Sequence, residues 1–392
     1  MKKSLLFVID SLTIGGAEKS LISLINLIDS TKFDIDLLVF RSGGELEKYI
    51  PKCVNILPVP EYFRYVSKKI KKKKPVYLFL KYKISLSLRV NSIKKKPIHS
   101  EQIVFKNLKN RMFPLLKTYD FAVAYSQGMP TYFVAHKVKA IKKFTWINTD
   151  YKNTLYNKDV DFESYKHFNK IIAVSTYIME SVAEIKKEYI EKLEIIFDII
   201  DPDLIKKMAD KETVEEFDLS VTNILTVGRL ATVKSYDIAI RVAKKLQDSG
   251  YKFKWFVVGE GPERTYLESL IEEYSLFDNF ILLGNKINPY IYMKNCDIYV
   301  QTSLKEGFGL TVCEAKILKK PIVCTDFPTA KEIINNNIDG LIVKHEINSI
   351  YDGILKYIND TEGKFHIVKN LNNQKQYNSL DQIEKFYRLL ES

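Results

Sequence analysis

The chain has 392 residues, 46% of them hydrophobic and 28% charged, with 15 Gly and 12 Pro. That composition excludes disordered, collagen-like and low-complexity classes and gives room for two or three domains. The formal charge is +12, and thirteen Lys or Arg with no Asp or Glu fall between Arg64 and Lys96, so the positive excess is one segment and the remainder is close to neutral.

Leu5–Ile9 is a short continuous apolar run stopped by Asp10, too short for a signal-peptide core. A turn-like stretch to Gly15-Gly16 and an amphipathic run from Ala17 through Ile28 follow, which reads as strand, loop, helix. Similar runs recur at Phe33–Phe40, Phe121–Tyr125, Lys143–Ile147 and Ile171–Val174, separated by helix-length stretches. Continuous rather than alternating apolar strands imply a parallel sheet covered on both faces.

The pattern starts over at Ile224–Val227, with a helix expected over Tyr236–Gln247 and further runs at Trp255–Val258, Phe280–Leu283, Ile298–Gln301 and Pro321–Thr325. Two α/β halves joined near Phe197–Asp203 are therefore expected, with a ligand cleft between them. The domain reading is 1–198, 199–378 and a terminal helix over 379–392, whose apolar positions Leu380, Ile383, Phe386, Tyr387 and Leu390 need a host that either half can provide.

Four cysteines, Cys53, Cys296, Cys313 and Cys324, show neither CxxC spacing nor the density of a disulfide scaffold, which points to a reducing cytoplasm. No stretch approaches about eighteen consecutive apolar residues, so membrane contact is expected to be peripheral.

The sharpest motif is Glu306-Gly307-Phe308-Gly309-Leu310-Thr311-Val312-Cys313-Glu314, a carboxylate on a Gly-x-Gly loop leading into a helix that carries a second carboxylate. Backbone N–H groups at such a helix start suit an anionic or polyhydroxylated ligand, and each carboxylate accepts hydrogen bonds from sugar or ribose hydroxyls. Gly228-Arg229-Leu230 directly follows a strand, with Lys234 five residues beyond Arg229. Two cations at a strand's carboxyl end suit a diphosphate, with surface solvation as the open alternative. Gly15-Gly16 precedes a helix and can face an anion. Gly259-Glu260-Gly261-Pro262 makes a tight turn but lacks the third glycine of a dinucleotide fingerprint, so its glycines read as structural.

In this order, Gly-Gly-Ala-Glu, Gly-Arg-Leu…Lys, Gly-Glu-Gly-Pro and Glu-Gly-Phe-Gly-Leu…Glu, the chain resembles bacterial retaining glycosyltransferases of family four, the glycogen-synthase-like and mannosyltransferase-like group. The resemblance is strongest from Ile224 to Val343, with Trp146–Asp150 and Ile172–Ser175 in support. It implies the GT-B fold, two Rossmann-like parallel-sheet α/β domains facing a central cleft.

By the same resemblance Arg229 and Lys234 hold the donor diphosphate, Glu314 the ribose and Glu306 the transferred sugar, with backbone contacts from Gly228, Phe308, Gly309 and Leu310. Lys286 and Ile287 form the nucleobase edge, and Gly15, Gly16 and Asn148 approach the donor from the other domain. The donor is expected to be a UDP-sugar, itself a substrate, with no cofactor and no metal. The acceptor is a saccharide or lipid-linked saccharide of a bacterial surface polysaccharide, with acceptor binding assigned to the N-terminal domain. Two positions depart from the pattern. Asn148 stands where His is frequent, which excludes proton shuttling there, and Asp198 stands where Asn is frequent, so no role passes to it.

Glu306 and Glu314 also suit the acid and nucleophile of a retaining glycosidase, provided the carboxyls lie about 5–5.5 Å apart. The diphosphate-binding cations favour the transferase. His99 and His136 lack metal-ligand partners and read as structural, and Ser126 lacks a base.

The basic segment interleaves Lys68, Lys69, Lys71–Lys74, Lys81, Lys83, Arg89 and Lys94–Lys96 with aromatic and aliphatic residues. Alternation from Leu80 to Val90 reads as a strand, whereas Pro75 with Val76, Leu80, Ile84 and Leu88 reads as a helix; the family resemblance favours a helical insertion near 62–112. Its expected partner is an anionic membrane at the inner face of the cell membrane, with a solvated basic face or nucleic acid as alternatives; the transferase reading expects no nucleic acid.

Overall fold

A computed structural model describes residues 2–67, 75–210, 214–373 and 379–391. The chain divides into two compact units, Met1–Ile199 with Ser379–Ser392, and Ile200–Asn378.

The first unit is built on a seven-stranded sheet of β1 (Lys3–Ile9), β2 (Phe33–Val39), β3 (Asn55–Ile56), β4 (Thr118–Ala124), β5 (Lys139–Ile147), β6 (Lys170–Ala173) and β7 (Leu193–Ile195). Their order is β3-β2-β1-β4-β5-β6-β7, and every pairing is parallel. The second unit carries β8 (Thr222–Val227), β9 (Phe253–Val258), β10 (Phe280–Gly284), β11 (Ile298–Gln301), β12 (Ile322–Thr325) and β13 (Leu341–Val343) in the order β10-β9-β8-β11-β12-β13, again all parallel. Leu5 through Val8 are wholly buried, as a central strand covered on both faces requires. Three edge strands, β3, β7 and β13, were not readable as apolar runs because they have only two or three residues.

In each unit the strand order reverses direction at one place, between β1 and β4 in the first and between β8 and β11 in the second. Loops leaving the carboxyl ends of such neighbours diverge to opposite faces and open a crevice. Asp10 and Tyr125-Ser126 leave the first switch point; Gly228-Arg229 and Thr302-Ser303 leave the second.

The segment that alternates from Leu80 to Val90 is not a strand. Pro75–Ser92 is a helix that buries Tyr77, Leu80 and Ile84, while Val76, Leu86 and Val90 are exposed. Proline at its first position gives up no intrahelical bond. Residues 68–74, which include Lys71–Lys74, lie outside the described residues.

The terminal helix Ser379–Glu391 packs on the first unit. Phe386 is fully buried, with its ring 6.1 Å from those of both Phe7 and Trp146, and Tyr387 stacks on Phe33 at 6.1 Å while its hydroxyl accepts the Asp29 N–H at 2.9 Å. Gln382 Oε1 accepts the Phe197 N–H at 3.0 Å. Leu380 has the spacing of a docking position, but it faces solvent at 64% exposure, outside the packed face of the helix. Phe386→Ala should destabilise the first unit by about 3–5 kcal/mol through the cavity it leaves, and Leu380→Ala by less than about 0.5 kcal/mol. Urea unfolding followed by tryptophan fluorescence, with Trp146 against Phe386, reads the difference.

Asp198 is buried where this unit ends, beside Ser20, whose hydroxyl also meets the Tyr125 hydroxyl at 3.0 Å and accepts the Ile199 N–H at 2.9 Å. Burial pushes its carboxyl up to about 7, opposed by the Ser20 hydrogen bond. The folded chain holds this proton more tightly than the unfolded chain, so the stability it contributes is present below the ordinary carboxylate range and is lost as pH rises toward 7. Asp198→Asn should remove that loss. The variant's advantage in unfolding midpoint should widen from about pH 4 to about pH 7 and stay constant above; a pH-independent gap would refute the assignment.

Candidate functional site

β8 ends at Val227, and the next residues are fixed by close backbone packing. The Gly228 N–H donates to Val258 O at 3.0 Å, and the Gly228 carbonyl accepts the Tyr236 hydroxyl at 2.9 Å. A Cβ on Gly259 would lie 1.9 Å from the Gly228 oxygen, and one on Gly261 would lie 2.2 Å from the Leu230 oxygen. These two glycines therefore let the turn after β9 press against the loop that carries Arg229, which supports their structural reading. Arg229 itself is exposed.

A 3-10 turn over Thr232–Lys234 then leads into the helix Tyr236–Asp248 through Ser235, which sits at φ 50 in the left-handed region. Such a conformation in a non-glycine residue is held by its surroundings. The Ser235 hydroxyl meets His345 Nε2 at 3.0 Å, the Thr302 hydroxyl donates to the Lys234 carbonyl at 2.9 Å, and the Leu304 N–H donates to the Val233 carbonyl at 2.8 Å. The loops after β8 and β11 are thus bonded to each other across the switch point.

That docking brings Lys234 onto Glu306. The ammonium donates to Oε1 at 2.5 Å and to Oε2 at 2.7 Å, with the two side chains 18% and 10% exposed. Glu306 Oε1 also accepts the Ser303 hydroxyl at 2.6 Å and the Gln301 amide at 3.0 Å. Gly309, at φ +100, turns the chain into the helix Leu310–Ile317, where a Cβ would strike Ile333 at 2.7 Å. Phe308 is buried and its carbonyl accepts the Thr329 hydroxyl at 2.8 Å. Glu314 lies on the helix and is 1% exposed, with Oε1 accepting the Tyr290 hydroxyl at 2.8 Å. The two carboxylates are thus set in different surroundings, one against a cation near the surface and one sunk beneath a phenol.

Lys286 and half-exposed Ile287 follow β10. Lys286 lies 5.4 Å from the Tyr292 ring centre and 3.4 Å from Glu216, and the contact with Tyr292, together with that carboxylate, raises its pKa. Gly228, Arg229, Lys234, Lys286, Ile287, Glu306, Phe308, Gly309, Leu310 and Glu314 all belong to the second unit.

Gly15, Gly16 and Asn148 belong to the first unit. Gly15 caps the helix Gly16–Leu27, and a Cβ on it would meet the Glu18 carboxylate at 2.2 Å. Asn148 follows β5; its N–H donates to Gln127 Oε1 at 3.1 Å and its amide to Tyr125 O at 3.0 Å. Ser126 donates to Asp10 at 3.4 Å. Burial, with Glu101 nearby, pushes Asp10 up to about 8 against the pull of Arg41. In the sequence Asp10 is visible only as the residue that stops an apolar run. His99 caps the helix Ser100–Leu108 and stacks on Tyr156, and His136 meets Ser164 at 3.0 Å and stacks on Phe105.

Gln301, Ser303 and Tyr290 were missed by the motif reading. The pairing of β11 with β8 and the return of the next loop bring Gln301 and Ser303 to Glu306, and the start of the helix Tyr290–Asn295 brings Tyr290 to Glu314.

Residues 209–377 match the family model for glycosyl transferases group 1. The chain is 27% identical over 352 residues to the N-acetylgalactosamine-N,N'-diacetylbacillosaminyl-diphospho-undecaprenol 4-alpha-N-acetylgalactosaminyltransferase of Campylobacter jejuni, covering 89% of this chain and 88% of that one. It is 29% identical over 170 residues to the poly(ribitol-phosphate) alpha-N-acetylglucosaminyltransferase of Staphylococcus aureus, covering 42% and 34% of the two chains. The fold is shared with Anabaena Alr3699/HepE, solved in complex with UDP and glucose, at a TM-score of 0.70 and 17% identity over the whole of both chains. The protein therefore has the GT-B fold, and its match to the glycosyl transferases group 1 model falls within the second unit.

Proposed function

We propose that the protein is a retaining glycosyltransferase that moves a sugar from a UDP-sugar to a saccharide or lipid-linked saccharide acceptor in bacterial surface polysaccharide or glycolipid synthesis. The observation that carries this reading is the Lys234–Glu306 contact at the switch point of the second sheet, with Arg229 exposed on the same loop. A diphosphate takes its charge-assisted hydrogen bonds from Arg229 and Lys234, and Glu306 accepts from hydroxyls of the attached sugar. Glu314 accepts from the ribose, Lys286 and Ile287 line the base, and the Phe308–Leu310 backbone faces the sugar. Gly15, Gly16 and Asn148 are assigned to the donor from the first unit.

The leaving diphosphate is already a stabilised anion, and the two cations offset the charge that develops on it, so the reaction calls for neither a metal nor a strong general acid. The acceptor hydroxyl attacks C1 on the face from which the diphosphate departs. The C1–O bond to phosphate breaks with its electron pair, a leaving-group oxygen takes the acceptor's proton, and the anomeric configuration is kept.

The Campylobacter relative's name specifies a diphospho-undecaprenol saccharide, and Alr3699/HepE holds UDP and glucose, which supports this donor and acceptor class. A glycosidase needs an acid and a nucleophile about 5–5.5 Å apart. An ammonium against Glu306 and a phenol donating to Glu314 fit that pair poorly.

Among the described residues no helix is long and apolar enough to cross a membrane. The helix Pro75–Ser92 leaves Phe79 and Tyr82 67% and 70% exposed beside Lys81, Lys83 and Arg89, and Ile93 is 82% exposed before Lys94–Lys96. Apolar side chains among cations suit peripheral binding at the cytoplasmic face of an anionic membrane, where a lipid-linked acceptor resides.

Nucleotide release from a panel of UDP-sugars, supplied with a lipid-linked acceptor, tests the reaction. Arg229→Ala or Lys234→Ala should lower turnover roughly a hundredfold while the protein stays folded; near-normal turnover in both variants contradicts the assignment. Co-sedimentation with liposomes should require anionic lipid and weaken when Lys71–Lys74 or Lys94–Lys96 are neutralised, and binding indifferent to both would remove the membrane from this reading.

A further inference from the structure

A glutamate side chain ends in two equivalent oxygens on rotatable bonds, so its use to a sugar hydroxyl depends on which oxygen faces the ligand and how firmly it is held. At Glu306 the two oxygens are made unequal. Oε1 accepts three hydrogen bonds, from Ser303, Gln301 and Lys234, whereas Oε2 accepts from Lys234 among the described residues.

The donors to Oε1 are fixed in turn. Gln301 Nε2 also donates to the Ser303 hydroxyl at 2.7 Å, and Gln301 Oε1 accepts the Tyr299 hydroxyl at 2.7 Å. The amide orientation follows from these partners, because the opposite flip would set the Gln301 oxygen against the Glu306 carboxylate. The Ser303 carbonyl is tied to the Thr325 hydroxyl at 2.6 Å. Tyr299, Gln301 and Ser303 are 0%, 1% and 0% exposed. A phenol, an amide and a hydroxyl sunk at the end of β11 therefore form a chain of bonds that ends on one oxygen of one carboxylate.

We infer that Gln301 and Ser303 are positioning residues that clamp Glu306 through Oε1 and present Oε2 to the hydroxyls of the transferred sugar. This rests on the transferase reading above. Gln301 and Ser303 are buried and direct their donors to Glu306, so they act on the reacting sugar through it and leave nucleotide binding to Arg229 and Lys234.

The test uses the full chain, nucleotide release from UDP-glucose, UDP-galactose, UDP-N-acetylglucosamine and UDP-N-acetylgalactosamine, and calorimetric binding of UDP alone. Gln301→Leu and Ser303→Ala should each lower kcat roughly ten- to hundredfold, the worth of one hydrogen bond to a charged group, with UDP affinity within about threefold of the parent. Ser303→Thr, which keeps the hydroxyl, should restore much of the rate. In a Glu306→Gln background, Ser303→Ala should cost nothing further, since its route to the sugar is already lost. Parental kcat in both single variants, an equal loss of UDP affinity, or a full additional loss in the Glu306→Gln background would each overturn the clamp. A parent chain that binds no UDP and releases no nucleotide would instead overturn the transferase reading and the clamp with it.

Discussion

A lysine ammonium and a glutamate carboxylate meet where the β8 and β11 loops leave opposite sides of a parallel sheet, and the organisation of the second unit follows from holding them there. A partly buried ion pair is weak evidence for stability, because desolvation of both ions offsets much of their attraction. Here it is surrounded by devices that fix its geometry. Gly259 and Gly261 allow one backbone to press on another, Ser235 holds a left-handed conformation, and the loops bearing the two charges are cross-bonded through Thr302 and Leu304. Preorganised charge of this kind is worth most when an anion or a developing charge has to be met without reorganisation.

The first unit repeats the topological logic with different chemistry. Its switch point lies between β1 and β4, and the residues leaving it include Asp10 and Ser126 rather than paired cations. The unit is closed by the end of the chain, where Phe386 fills the space between Phe7 and Trp146, so a segment remote in sequence completes the core under β1 and β5. Each unit therefore presents polar groups at the carboxyl ends of strands whose buried lengths are apolar.

Much of this was legible in the linear sequence. Continuous apolar runs marked the central strands, because a parallel strand buried on both faces admits few polar side chains. Glycines with charged residues after β8 and before the helix Leu310–Ile317 marked the loops of the site, because tight turns and close backbone approach leave chemical signatures. The helix Pro75–Ser92 was ambiguous: alternation and helical spacing coincide over Leu80–Leu88, and the packing of Tyr77, Leu80 and Ile84 into the core decided it. Leu380 carried the right spacing yet faces water, since spacing alone does not say how wide the docked face is.

The sequence by itself determined two parallel α/β units and the identities of the charged residues at strand ends, since both depend on local periodicity and composition. Only the tertiary structure decided that Lys234 bonds Glu306, that Gln301 and Ser303 hold one oxygen of that carboxylate, and that Glu314 lies beneath Tyr290. These contacts join residues on different strands and loops. Their partners are chosen by sheet order and register, which arise from packing over the whole unit and leave no periodic trace in the chain.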